Sequence, residues 1–244
     1  MKIAVVSGKG GVGKTTLSLR IAEALASKYS VALFDADITG SNTHLMLSIE
    51  KDIRVVGDRL IPAVARINGR KVEYVSISLV SDNYIRWEGS VVDDFISQVM
   101  NSTEWTAEHV VIDCPPGTHE DTIRSIELAD VVVFVTIPAK FAKLDLERTI
   151  DLVRDIGKPV AGVFVNFSKV VCPVCGHKFR IFDSEVKYDV PVIQEIPVGN
   201  TTIDLDRLEK HLNNPVKLQK RSIKRKVKRS AVKMFLRAMA KRGG

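Results

Sequence analysis

The sequence has 244 residues, 45% of them hydrophobic and 27% charged, which is typical of a globular protein with one sizeable core. Its net charge of +7 is uneven, because residues 217–244 hold 12 Lys and Arg and no acidic residue, while the rest of the chain has 24 basic and 29 acidic residues. The longest apolar run, Val131–Ile137, is far shorter than the roughly 20 residues that cross a bilayer, and no secretory signal precedes the first strand, so we expect a cytoplasmic protein without a membrane span.

Apolar segments typical of strands alternate with segments that have a helical period. The predicted strands cover residues 3–7, 31–37, 109–113, 131–138 and 159–167, and the predicted helices cover residues 15–28, 90–102, 119–129 and 143–156. Residues 53–79 alternate in polarity, and the Asn-Gly pair at 68–69 predicts an antiparallel hairpin. Apolar strands that alternate with helices predict the fold class: α/β, with three layers in which helices cover both faces of a mainly parallel β-sheet.

The first loop of the chain has the pattern of a phosphate-binding site. SGKGGVGKTT, residues 7–16, matches G-x-x-x-x-G-K-[ST] and lies between a predicted strand and a predicted helix, which is the context that a P-loop requires. The glycines let backbone N–H groups point at phosphate oxygens, and the helix adds its positive end. Lys14 is expected to neutralise the phosphates of ATP, and Thr15 to bind Mg²⁺. The predicted nucleotide-binding residues of this loop are Gly8, Gly10, Gly11, Val12, Gly13, Lys14, Thr15 and Thr16.

Two acidic strand ends follow the P-loop. FDADITG contains Asp35 and Asp37, and the strand in VVIDCPPGT ends with Asp113. Phosphoryl transfer requires a metal ion, a positioned water and charge neutralisation. We therefore expect Thr15 and Asp113 to bind Mg²⁺, and the chain to be a Mg²⁺-dependent ATPase with the P-loop NTPase fold.

The P-loop contains a second lysine, Lys9, which is the feature of a particular family of ATPases. KGGVGKT resembles the deviant Walker A motif of the ParA/MinD/Mrp ATPases, in which this lysine reaches across a face-to-face dimer to the partner's nucleotide. The resemblance implies a homodimer with Lys9, Lys14 and Asp37 as catalytic residues. In the family's DAD motif, which FDADITG resembles, the second aspartate (Asp37 here) orients the attacking water and the first (Asp35 here) lies near Mg²⁺. It also implies that Asn166, at the end of the strand VFVN, binds adenine through its amide. The residues by themselves leave open a solvated lysine at position 9 and a turn asparagine at position 166.

Cys172 and Cys175, in KVVCPVCGHKF, form a Cys-Pro-x-Cys-Gly pattern. Thiolates at this spacing form a chelating knuckle, but Zn²⁺ and [4Fe–4S] clusters take four ligands. A symmetric dimer supplies the missing two, because each subunit presents the same surface. The residues alone leave open an iron–sulfur cluster, zinc and a metal-free turn. Cys114, beside Asp113, is expected to be a small buried residue.

The segment around the cysteines also resembles the Mrp branch. NFSKVVCPVCGHKFRIF, residues 166–182, is similar to the N-x-S…C-P-x-C-G segment of that family of iron–sulfur assembly ATPases, and DADITGSNTHLML, DCPPGTHED and IPVGNTTI are similar to its other motifs. The resemblance implies a [4Fe–4S] cluster that is bridged between two subunits and passed to apo-proteins. Departures from the family pattern at Glu88, Ser90 and His119 leave open a nickel-type metallochaperone ATPase of hydrogenase maturation. Its further ligands would be His44, His119 and His177.

Residues 213–244 are predicted to form a basic tail after an ATPase domain of residues 1–212, which includes the cysteine segment 172–175. Apolar residues recur at helical spacing in residues 222–242, which predicts a basic amphipathic helix. Such a helix is compatible with contact to an anionic membrane, as in MinD, to a partner protein, or to its own acidic domain. Nucleic acid is disfavoured, because the tail lacks an interleaved aromatic pattern for base stacking. The tail therefore leaves open an alternative to the cluster carrier: a positioning ATPase of the MinD or ParA type, which would use the tail on a membrane or DNA.

Overall fold

The computed structural model describes residues 1–37, 43–77, 89–182, 186–199 and 202–219. Within these ranges, a 3-10 turn covers Thr43–Met46. The helices are α1 (Lys14–Leu25), α2 (Gly89–Ser102), α3 (Glu120–Glu127), α4 (Lys140–Ile156) and α5 (Leu205–Asn213). The strands are β1 (Lys2–Val6), β2 (Val31–Asp35), β3 (Ser48–Lys51), β4 (Arg54–Val56), β5 (Arg59–Ile61), β6 (Ala63–Ile67), β7 (Arg70–Ser76), β8 (His109–Asp113), β9 (Val131–Thr136), β10 (Val160–Asn166), β11 (Val170–Val171), β12 (Lys178–Phe179) and β13 (Val192–Ile196).

Nine strands form one sheet in the order β13-β10-β9-β1-β8-β2-β7-β6-β3. The strands from β13 to β7 are parallel, and β6 and β3 continue the sheet through antiparallel pairs. Helices α1 and α5 pack on one face, through side chains such as Leu17 and Leu208. Helices α2, α3 and α4 pack on the other face, through Ile96, Ile126 and Ile150. The predicted three-layer α/β fold with a mainly parallel sheet is therefore confirmed.

The predicted hairpin at residues 68–69 is the antiparallel pair β6–β7. Asn68 and Gly69 both have positive φ, at 48° and 83°, as a tight two-residue turn of this kind requires. The sequence pattern does not predict β3, and within the alternating residues 53–79 it does not separate the small β4–β5 hairpin from the β6–β7 pair. Most side chains of these short strands are exposed. The other predicted elements agree with the observed ones to within a few residues at each end.

The parallel register brings three strand ends to one edge of the sheet. Strand β8 lies between β1 and β2, and Asp35 and Asp113 are direct register partners at the ends of β2 and β8. The P-loop leaves the end of β1, so it begins beside these two carboxylates. In open α/β sheets, ligands bind outside the carboxyl ends of the strands. The fold therefore places the predicted nucleotide site at this edge.

After α5 the chain returns to the sheet. Val160 and Val216 exchange both backbone hydrogen bonds, at 2.9 and 2.8 Å, and Leu218 packs against the core under α2, α3 and α4. The predicted division after residue 212 stays a prediction, and the predicted helix at 222–242 lies outside the described residues. In the described ranges, no helix combines the length and the apolar character that crossing a membrane requires.

We expect a chain that ends at residue 213 to be less stable than a chain that ends at residue 219, by about 1–3 kcal/mol in the free energy of unfolding. The shorter chain loses the two hydrogen bonds to Val160 and the packing of Leu218 on the core. Urea unfolding of the two chains measures the difference, and Leu218→Ala in the longer chain should show part of it. Equal unfolding free energies for all three chains would contradict this role of residues 214–219.

Candidate active site and cysteine pair

The P-loop, residues 7–13, is fixed by close contacts near both of its ends. At Gly8, an added Cβ would overlap the backbone carbonyl of Asp145 in α4, so the loop lies directly on that helix. At Gly13, φ is 86°, and an added Cβ would overlap the side-chain amide of Asn166. Gly13 is therefore required both for its left-handed backbone and for the close approach of the amide.

Lys14 is not directed at solvent but forms a buried ion pair. Its Nζ donates to Oδ1 of Asp113 at 2.6 Å, and the two side chains are 7% and 1% exposed. Ser18, one turn further along α1, donates to the same oxygen at 2.8 Å. Burial is the largest influence on Lys14 and disfavours its charged form, but the charge and the hydrogen bond of Asp113 outweigh it and raise the pKa of Lys14. Lys14 is thus a cation held inside the protein by one carboxylate.

The second oxygen of Asp113, Oδ2, is buried and has no hydrogen-bond partner among the described residues. A buried carboxylate oxygen without a partner is costly, so this atom is suited to a cation or to water bound by one. Asp35 is fully buried on the neighbouring strand. Thr15 is partly buried in the first turn of α1. These oxygen donors fit Mg²⁺, which binds one or two carboxylates together with water and phosphate.

Backbone hydrogen bonds tie the two acidic loops to each other and to the P-loop. The N–H of Gly117 donates to the Ser7 carbonyl, and the N–H of Ala36 donates to the Asp113 carbonyl, both at 3.0 Å. The N–H of Asp37 donates to Oδ1 of Asp35 at 3.1 Å, and the Asp37 side chain is partly buried. The structure thus brings all predicted phosphate and Mg²⁺ residues to one edge of the sheet.

Asn166, at the end of β10, is 5% exposed and bonds to backbone through both ends of its amide. Its Nδ2 donates to the Val12 carbonyl in the P-loop, and its Oδ1 accepts from the N–H of Phe167, both at 3.0 Å. Each amide atom retains one further hydrogen-bonding direction. The structure places Asn166 against the P-loop, and its predicted contact with adenine stays a prediction.

Lys9 lies at the surface, in surroundings unlike those of Lys14. Its side chain is exposed, and Nζ lies 4.5 Å from the ring centroid of Phe141, in the first turn of α4. Its backbone carbonyl accepts a hydrogen bond from Oγ of Ser7 at 3.1 Å. The two lysines of the P-loop are therefore separated, one inside the protein and one on its surface, which is compatible with the different roles predicted for them.

The cysteine pair lies in a short hairpin formed by β11 and β12. The N–H of Cys172 donates to the His177 carbonyl, and the N–H of Gly176 donates to the Cys172 carbonyl, both at 2.9 Å. These bonds close a tight loop in which Cys172 is partly buried, Cys175 is exposed and Val174 is 92% exposed. Hydrogen bonds from the backbone of Cys175 and Val174, and then from the Cys175 side chain, lower the pKa of the Cys172 thiol. The loop favours a thiolate at Cys172, which is the form that binds metal.

Among the described residues, no three His, Cys, Asp or Glu side chains come together as metal ligands. The described structure does not bring His44, His119 or His177 to the cysteine pair as a third ligand, so within these ranges the pair offers two thiols, fewer than the four ligands that Zn²⁺ takes in a structural site. Cys114 is fully buried, and burial raises the pKa of its thiol, so the prediction of a small buried residue is confirmed.

Two residues at these sites are missed by the sequence motifs. Ser18 follows Lys14 by four positions, so it lies on the same face of α1, and this spacing is the signal that could have identified it. Phe141 contacts Lys9 from a distant part of the chain, and no local pattern reveals such a contact.

We expect Asp113→Asn to lower the free energy of unfolding by about 3–5 kcal/mol, because it leaves the buried Lys14 ammonium without a charge partner. Lys14→Met should cost a similar amount by leaving the carboxylate unpaired. The double variant should lose less than the sum of the two, since neither unpaired charge remains. Urea unfolding without nucleotide measures all three changes, and strictly additive losses would contradict the ion pair.

The model of the ParA family, described as NUBPL iron-transfer P-loop NTPase, matches residues 1–235. The iron-sulfur cluster carrier proteins of Pyrococcus abyssi and Rickettsia bellii are each 34% identical to the chain, over 197 and 203 residues. The alignments cover 74% and 80% of this chain but 66% and 61% of those proteins, so the chain spans about two thirds or less of their length.

Solved structures show the same fold. A nucleotide-binding protein from Archaeoglobus fulgidus, in complex with ADP, has a TM-score of 0.67 at 24% identity, with 86% of this chain and 84% of that chain covered. The septum site-determining protein MinD from Pyrococcus horikoshii, with Mg-ADP, has a TM-score of 0.56 at 18% identity, with 80% of each chain covered. At these identities the likeness shows the fold alone. From the family match over residues 1–235 and the P-loop with its second lysine, we conclude that the chain belongs to the ParA family of NUBPL-type iron-transfer P-loop NTPases, the Mrp-type branch that its motifs predict.

Proposed function

We propose that the chain is a homodimeric ATPase that holds an iron–sulfur cluster between two copies of its cysteine pair and passes the cluster to acceptor proteins. The observation that carries this proposal is the hairpin with Cys172 and Cys175, which offers two accessible thiols and no third ligand among the described residues. Two such hairpins offer the four thiolates that a [4Fe–4S] cluster takes. The curated relatives are named iron-sulfur cluster carrier proteins, which supports the same cargo.

The nucleotide site supports the ATPase half of the proposal. Lys14 is paired with Asp113, and the phosphates of bound ATP are anions that compete for the same ammonium. If Lys14 turned to the phosphates, Asp113 would keep the hydrogen bond from Ser18 at Oδ1, and Oδ2 would be available to a metal ion together with Asp35 and Thr15. When bound there, Mg²⁺ would neutralise charge on the phosphates. Asp37, at the start of the loop after β2, would orient the attacking water.

We propose that Lys9 acts in the partner subunit's site. Its side chain is exposed and lies outside the buried Lys14 pair, so it is accessible to a second molecule. Hydrolysis would then require the dimer, because each site receives one of its cations from the other chain. The same dimer would bring the two cysteine hairpins together, so nucleotide state and cluster binding would depend on one assembly.

Zinc is the second candidate at the cysteine pair, because it takes the same four thiolates. Acceptors that fit the proposed cargo are apo forms of iron–sulfur proteins or other metalloenzymes. From the sequence we also propose a cytoplasmic location. The excess of Lys and Arg in the basic tail supports a contact of the tail with an anionic membrane or a partner protein.

Anaerobic reconstitution with iron and sulfide tests the proposal, with metal analysis, a visible spectrum and size-exclusion chromatography as readouts. We expect about four iron and four sulfide ions per two chains, in a dimer. Cys172→Ser and Cys175→Ser should lose the iron and keep ATP binding, since neither residue lies at the P-loop. Cys114→Ser is the matched control and should keep both, because Cys114 is fully buried and away from the hairpin.

Zinc retained at the pair after reconstitution, or a cluster held by a monomer, would contradict the bridged cluster. Transfer is tested by mixing the loaded protein with an apo-ferredoxin and following iron in both after separation. Iron that stays with the carrier under all nucleotide conditions would contradict the delivery step and leave a stable iron–sulfur protein.

A further inference from the structure

We propose that Phe141 is a positioning residue for Lys9: its ring holds the ammonium on the outer surface of the subunit, where the ATP of a partner would meet it. The inference rests on the proposed function, because it assigns Phe141 a role only if Lys9 acts across the dimer. It adds a residue that lies outside the P-loop, the two acidic strand ends and the cysteine segment.

The contact has the geometry of a cation–aromatic interaction. Nζ of Lys9 lies 4.5 Å from the ring centroid of Phe141, inside the roughly 6 Å within which a ring face attracts a cation. Phe141 is 51% exposed, which is high for a large apolar side chain, so burial in its own subunit accounts for only part of its placement. The ring restricts a lysine side chain that would otherwise sample many rotamers.

The backbones that carry the ring and the lysine are fixed against each other. Gly8, next to Lys9, lies so close to α4 that an added Cβ would overlap the Asp145 carbonyl, and Asp145 is one turn after Phe141. On the loop side, Oγ of Ser7 donates to the Lys9 carbonyl at 3.1 Å. The remaining freedom therefore lies mainly in the Lys9 side chain, which is the part that the ring holds.

Lys9 could in principle act on ATP in its own subunit or on ATP in the partner, and its position on the surface favours the second role. A lysine without the ring is free to fold back toward phosphates bound in its own loop, where Lys14 already supplies a cation. In that position the ammonium is away from the partner's ATP and does not assist hydrolysis there. By holding the ammonium over α4, Phe141 favours the position that a second subunit can use. Leu144, 59% exposed in the next turn of α4, adds apolar surface to the same helix.

The expected effect is modest, because cation–aromatic contacts at exposed sites are weak. We expect Phe141→Leu to lower kcat of the dimer about two- to fivefold and to leave KM for ATP unchanged, since the Lys14 pair and the P-loop are intact. Phe141→Tyr should keep the wild-type rate, because it keeps the ring face. In the Lys9→Ala background, Phe141→Leu should have no further effect on the residual rate, because the lysine that the ring positions is gone.

Hydrolysis of ATP is measured for the five proteins over a range of protein concentrations, so that kcat of the dimer is separated from dimerisation. A second readout is independent of activity: the lysines are reductively methylated with ¹³C-formaldehyde, and the Lys9 signal in the NMR spectrum is assigned by its loss in Lys9→Ala. The ring should shift this signal upfield in the wild type and in Phe141→Tyr, and Phe141→Leu should return it to the position of the other exposed lysines.

The outcomes separate this inference from the proposed function. If Lys9→Ala is slow while Phe141→Leu has the wild-type rate, or if the Lys9 signal shows no ring shift, the inference fails and the proposed function stands. If Lys9→Ala hydrolyses ATP at the wild-type rate, the proposed role of Lys9 fails and the inference fails with it. If Phe141→Leu slows hydrolysis further in the Lys9→Ala background, Phe141 acts through the interface or the fold, and the inference is overturned.

Discussion

The buried ion pair between Lys14 and Asp113 is the interaction on which the rest of the site depends. Removing a lysine and a carboxylate from water costs several kcal/mol per ion, and the cost is offset only where the geometry is close and the remaining polar atoms are bonded. Here Ser18 bonds the carboxylate from the same helix that carries the lysine, while the second carboxylate oxygen has no protein partner among the described residues. Among the described residues, Lys14 thus uses one of its three N–H donors in the pair, and the carboxylate is bonded through Oδ1 alone. Such a site is ready to accept an anion on the lysine side and a cation on the carboxylate side, which together describe a metal-bound nucleotide.

The pair exists because of the register of a parallel sheet. Strand β8 lies between β1 and β2, so the residue that ends β8 faces the loop that leaves β1. Asp35 and Asp113 are partners across β2 and β8. A shift of β8 by one residue would turn Asp113 to the opposite face of the sheet and leave Lys14 without its partner. The two apolar layers that cover the sheet resist such a shift, because it would move every β8 side chain from the layer in which it is packed to the opposite one. Core packing and site electrostatics thus select the same register.

Local patterns in the sequence were sufficient to predict the fold and the position of the P-loop in it. The alternation of apolar strands with helices predicts the three-layer sheet, and the spacing from Gly8 to Thr15 predicts the P-loop, because both are set by residues close in sequence. Contacts between distant segments were not predictable in this way. The bond from Asn166 to the Val12 carbonyl and the contact of Lys9 with Phe141 depend on how β10 and α4 pack beside the loop. The short strands β11 and β12 were missed as well, since two residues each are too few to show a period.

Strand β10 connects the two sites through a short and well-bonded path. Its last residue, Asn166, donates to the P-loop, and Cys172 follows six positions later, after a segment whose backbone is bonded to the neighbouring strand by the N–H of Ser168 to the Ile196 carbonyl. Between them, Phe167 has φ of 55°, a strained conformation for a bulky residue that costs roughly 1–3 kcal/mol and persists only where its surroundings enforce it. The N–H of Phe167 donates to Oδ1 of Asn166, so the Asn166 side chain is bonded both to the strained residue and to the P-loop. A change in the position of Val12 would therefore act first on Asn166, and through its amide on the strained residue that leads into the cysteine hairpin. The dependence of the cysteine pair on nucleotide state that we propose would use this path, which joins the P-loop to the hairpin and does not require a large movement of the domain.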